Sequence, residues 1–160
     1  MDTSTTDVPI RHTLATLAYR LGKVLRDTPA EFRDYGSPDT ARTPGKILAH
    51  IGDLMDWALS IVEGRQAWHD SDPLPWSQEV ARFFAAIKKL DDHIAAHGLG
   101  PVTPERLFQG AIADALTHTG QLAMLRRLAG IQMRGENYYV ADIAVGRVGP
   151  DQAAAKRKFE

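Results

Sequence analysis

The chain has 160 residues, 44% of them apolar and 24% charged, the size and balance of one folded domain with room for a core. With 19 Lys and Arg against 20 Asp and Glu the formal net charge is −1, so no global positive field favours a nucleic acid or an acidic membrane surface as partner. There is no cysteine, which excludes disulfides, thiolate ligands and a cysteine nucleophile and leaves any metal to His, Asp or Glu.

The first residues, MDTSTTDVPIRH, have neither a basic start nor an apolar segment, and no apolar run approaches the roughly 18 residues of a membrane span, so a cytoplasmic protein is expected. Ile10, Leu14, Leu17, Leu21, Val24 and Leu25 recur at spacings of three and four and predict a first helix over 9–27, with Pro9 suited to its first turn. The next stretch, TPAEFRDYGSPDTAR, reads as a surface connection with room for one short turn. Thr43 before Pro44 is a helix start, and Ile47, Ile51, Leu54, Ala58 and Ile61 carry one face of a second helix to Gly64. After the proline-bearing DSDPLPW, Val80, Phe83, Phe84, Ile87, Leu90 and Ile94 predict a third helix over 77–97, ended by GLGP. A fourth is expected over 109–129, apolar around most of its circumference and closed by Gly130. The fold class is therefore all-α: a four-helix bundle over residues 1–130, antiparallel unless a long crossover intervenes, with an irregular C-terminal tail over 131–160 that packs on the bundle or on a dimer partner.

Polar residues interrupt two of the apolar stripes. His50 falls between Ile47 and Ile51, and Asp114 and His118 lie four residues apart on the stripe through Ala111, Ala115, Leu122 and Leu125. A carboxylate in a bundle core without compensation costs several kcal/mol. Two imidazoles and a carboxylate from facing helices could bind a divalent cation and leave positions open for water or substrate; a buried ion pair and a satisfied core histidine are the structural alternatives.

The stretches TPGKILAHIGDLMDWAL around His50 and DALTHTGQLAMLRRLAG around His118 resemble the DinB/YfiT-like superfamily over roughly residues 10–130. The most specific element is His118-Thr119-Gly120-Gln121, which matches the family's His-x-Gly-Gln. The resemblance implies a divalent metal held by a second-helix histidine, here His50, and by a His-x-x-x-His pair whose last member is His118. Asp114 stands where the family has the remaining histidine. It would coordinate directly, bind through water or orient a histidine ring, and a carboxylate shifts preference toward harder cations. The implied metal is zinc or nickel, with iron or manganese compatible. The resemblance also implies a homodimer, and an activity of thiol-dependent transfer or hydrolysis on a small molecule with a low-molecular-weight thiol as cosubstrate. The alternative is a noncatalytic metal- or ligand-binding dimeric protein of stress response.

Other residues receive structural expectations. Asp53 is read as lying behind the ligands or on the helix surface, and Glu63, His12, His69, His93 and His97 as surface groups. Gly120 would allow close helix approach, and Gln121 would cap or hydrogen-bond within the bundle. Trp57, Trp68 and Trp76 would form an aromatic rim or seal one end of the core. Tyr138 and Tyr139 would close over the site or pack in a dimer contact, and Lys156, Arg157 and Lys158 would be a solvated basic terminus. No nucleophile elbow or phosphate-cradling glycine loop is present.

Overall fold

A computed structural model describes residues 5, 7–37, 39 and 41–159; Pro38 and Thr40 of the first predicted connection lie outside the described residues. Four long helices form the bundle: α1 (Asp7–Leu25), α2 (Pro44–Val62), α3 (Trp76–His97) and α5 (Ala113–Leu128). A short α4 (Pro104–Leu107) runs into α5 through a π-helical turn, Phe108–Ile112. No helix is long and apolar enough to cross a membrane among the described residues.

Local chemistry sets these limits. The Thr43 side chain accepts from the Lys46 amide ahead of Pro44, and Thr103 does the same for Arg106 ahead of Pro104. This second Thr-Pro start puts the last helical segment five residues earlier than the periodicity predicts. The tail carries one 3-10 turn, Tyr138–Val140, and a single antiparallel bridge between Glu136 and Lys158.

The core is built from Leu14, Leu17 and Leu21 of α1, Leu48, Ile51 and Met55 of α2, Phe83, Ile87, Leu90 and Ile94 of α3, and Ile112 and Leu122 near and on α5, all fully buried. Around the bundle α1 touches α3 and α5, and α2 touches the same two, so α1 and α2 stand diagonally opposed. Arg11 donates to Asp91 through Nε and Nη2 at one end of α1 and Trp76 Nε1 donates to Thr28 at the other, which makes α1 and α3 antiparallel. In contrast Gly45 abuts Pro73 while Gly100 abuts the Val62 carbonyl, so α2 and α3 run the same way. This departs from an all-antiparallel bundle, because residues 63–75 are long enough to return along α2. At up to about 3.3 Å per residue an extended strap outreaches a helix rising about 1.5 Å per residue.

The strap is fastened along its length. Ser60 Oγ accepts from the Ala67 amide, Asp53 accepts from both the amide and the hydroxyl of Ser71, and Arg33 donates to the carbonyls of Pro73 and Leu74. Asp53 is thus neither on the helix surface nor behind the paired histidines. It is buried beneath the strap, where Arg82 of α3 bonds it at 2.5 Å and reaches Asp56 and Glu79 as well. Burial opposes the Arg82 charge, but its hydrogen bonds to the Asp53 and Glu79 carboxylates prevail and hold its pKa above the ordinary value.

Removing Arg82 would leave Asp53 and Glu79 as buried carboxylates without a cation. Arg82→Ala is expected to destabilise the fold by about 3–5 kcal/mol in urea unfolding, and the Asp53→Ala/Arg82→Ala double variant to cost less than the sum of the single changes.

Candidate metal centre

His50 on α2 faces Asp114 and His118 on α5 across an open groove. His50 Nε2 lies 3.3 Å from Asp114 Oδ2, and His118 Nε2 lies 3.5 Å from Asp114 Oδ1. The two imidazole rings meet edge to face at 4.8 Å between centroids. One donor atom from each of the three residues lies within 4.8 Å of the other two, so the group could hold a metal ion.

The three residues are half-buried, with the Asp114 side chain 47% exposed, so the carboxylate does not carry the core desolvation cost that its place on an apolar stripe suggests. The π-helical turn contributes to this. An i→i+5 turn inserts a residue and rotates the helix beyond it, so the buried line runs through Ile112, Ala115, Thr119, Leu122 and Arg126. Asp114 and His118 flank that line toward α2, and Leu125 is only half-buried.

Gln121 lies against one ring. Its Oε1 is 2.7 Å from His118 Nδ1, a contact that suits the tautomer protonated at Nδ1, with Nε2 toward the group. Gln121 is exposed on α5 rather than inside the bundle. Gly120 next to it is exposed with open space where a Cβ would stand, so it mediates no close helix approach.

The donor set could hold a divalent cation. Nitrogen and oxygen ligands at about 2.0–2.2 Å from an ion and at tetrahedral angles stand about 3.3–3.5 Å apart, the range of the two separations above, which end on different oxygens of Asp114. Two neutral imidazoles and one carboxylate leave a net positive charge on a bound dication and fewer than four protein ligands.

The surroundings define a pocket of about 640 Å³ over the group, walled by Ile47, Met124 and Leu125 and rimmed by Arg42. Trp68, carried on the strap, packs edge to face against His50 at 5.5 Å and against Trp57 at 6.0 Å. Trp76 does not join them: it is buried against Phe32 at another place in the core. Tyr138 also lies elsewhere, against Tyr19 and beneath the Arg20 guanidinium on α1, while Tyr139 is fully exposed, so neither closes over the group.

His69, expected as a plain surface group, is exposed yet places its two ring nitrogens 3.3 Å from Asp53 and 3.2 Å from Asp56. These three residues also bring donor atoms within 4.8 Å of one another. The Arg82 guanidinium already bonds both carboxylates there and Ser71 donates to Asp53 from the strap, so these groups clasp the strap to the helices. Periodicity gives little sign of it, because Arg82 and His69 sit on a polar face and in a loop.

Comparison with family models, with curated proteins and with solved structures gave no match for this chain.

The Gln121 contact has a direct spectroscopic consequence. In the metal-free protein, nitrogen-15 NMR of His118 is expected to show the Nδ1-protonated tautomer, and Gln121→Leu to shift the ring toward the Nε2-protonated form with little change in unfolding temperature.

Proposed function

We propose that this chain is a DinB/YfiT-like bundle that binds one divalent cation through His50, Asp114 and His118 and uses it in thiol-dependent transfer or hydrolysis on a small molecule. The observation that carries the reading is the donor set: two imidazoles and a carboxylate with donor atoms within 4.8 Å of one another, lining an open pocket. Zinc or nickel suits the two imidazoles, and the carboxylate also admits iron or manganese. A cation held there supplies Lewis acidity to an oxygen or sulfur nucleophile.

The chain's own residues then have separate tasks. His50, Asp114 and His118 hold the ion, and Gln121 holds the His118 ring with its lone pair inward. Ile47 and Leu125 exclude water from one side of the pocket, Trp68 braces the His50 ring, and Arg42 at the rim pairs with an anionic part of the small molecule. Met124 and Leu128, one turn apart on α5 and both mostly exposed, offer an apolar face for a homodimer beside the pocket.

Equilibrium dialysis with elemental analysis is expected to find one ion per chain, lost in His118→Ala and in His50→Ala. Asp114→His, which completes a three-histidine set, is expected to tighten zinc binding about tenfold or more. Thiol-dependent consumption of an electrophile should require the ion and vanish in His118→Ala. A tightly held ion with no exchangeable position would sink the catalytic reading and leave a noncatalytic metal-binding protein of stress response. Absence of any stoichiometric ion would sink both.

A further inference from the structure

A second pocket, of about 330 Å³, lies on a different side of α5, between the C-terminal ends of α1 and α5 and the tail. Segments far apart in the chain converge there. The tail is folded back by paired backbone bonds, Asn137 N–H to the Arg157 carbonyl and Phe159 N–H to the Gly135 carbonyl. These bring Arg134 and Lys158 to the same cavity as Arg26 and Arg126.

The lining of this pocket carries five cations against two acids. Elsewhere Arg11 pairs with Asp91, and Arg82 with Asp53, Asp56 and Glu79, whereas here Lys23 alone has a carboxylate partner, Glu136. Arg126 is only 6% exposed, yet its Nη1 and Nη2 donate only to backbone carbonyls, those of Lys23, Val24, Arg26 and Gln132. Its Nε is buried with no hydrogen-bond partner. Arg26, Arg134 and Lys158 make no ion pair among the described residues. Of the two acids lining the cavity, Glu136 is taken by Lys23 and by the Tyr19 hydroxyl, which leaves Asp27. The α1 C-terminus contributes partial negative charge, about half an elementary charge, enough to offset Arg126 in part and nothing beyond it.

One further feature marks the same place. Burial lowers the Arg126 pKa, with Arg26 and Arg127 adding to the effect and only Asp27 opposing it, so the guanidinium is an underneutralised cation that an anion would stabilise.

From the three unpaired cations and the buried guanidinium we propose that this pocket binds a small phosphate-bearing anion, gripped by Arg26, Arg134 and Lys158 over Arg126. The planar forks of Arg26 and Arg134 suit a tetrahedral dianion, and the volume admits a phosphoryl group with a short substituent. The proposal stands apart from the metal reading, since none of these residues touches His50, Asp114 or His118.

The test is isothermal calorimetry of the full chain with inorganic phosphate, at constant ionic strength set by potassium chloride. Saturable one-to-one binding is expected, weakened about tenfold by Arg134→Gln or by Lys158→Gln, each the loss of one charge-assisted contact. Both residues are exposed, so these variants should fold, and a phosphate-dependent rise in unfolding temperature should fall in parallel. His118→Ala should leave phosphate binding unchanged even where it abolishes metal binding. No heat beyond the chloride control would overturn the proposal, as would binding that survives the Arg26→Gln/Arg134→Gln double variant.

Discussion

The course of residues 63–75 governs the rest of this structure. Because α2 and α3 run in the same direction, the chain has to travel back along the bundle between them, and extended backbone against a helix has no ladder of its own to satisfy its polar groups. The Asp53 carboxylate answers that need by accepting from Ser71 while Arg82 balances its charge from α3. One buried acid therefore fixes the strap to α2 and α2 to α3. Since the strap carries Trp68, it also sets the aromatic wall beside His50.

The groove between α2 and α5 gains its chemistry from being incompletely closed. A fully buried Asp114 would need a permanent cation or proton partner, whereas a half-exposed carboxylate between two imidazoles can exist with or without one. That difference suits an exchangeable ligand site better than a structural staple. The His118 ring is held on one side by Gln121, three residues away on the same helix, and meets the His50 ring of α2 on another.

Much of the bundle is legible in the sequence, because core helices must repeat apolar residues every three or four positions and this chain does so from Ile10 to Leu25 and from Ile47 to Val62. The candidate ligands are legible for the same reason: His50, Asp114 and His118 are polar residues at or beside apolar stripes. Periodicity does not carry helix direction, which here depends on a crossover whose anchors are single side chains in loops. Nor does it carry the π-helical turn, since one inserted residue in a helix apolar on several sides leaves no break in the pattern. The Thr103-Pro104 start is readable by the same rule as Thr43-Pro44, and Gln121 by its i+3 spacing from His118.

The mixed character of α5 comes from the number of surfaces it serves. Ala115, Thr119 and Leu122 face the core, Asp114, His118 and Gln121 face the groove toward α2, and Arg126 turns to the carbonyls at the end of α1 and to the tail. A helix on the edge of a bundle with one neighbour needs a single apolar stripe, but one wedged between two helices and a folded-back tail has to alternate its chemistry every third or fourth residue around the whole circumference. The acid and the imidazole one turn apart are the part of that alternation facing an open groove, and the buried arginine is the part facing the tail. Both are polar for the same physical reason: each meets a surface that hydrocarbon alone cannot satisfy.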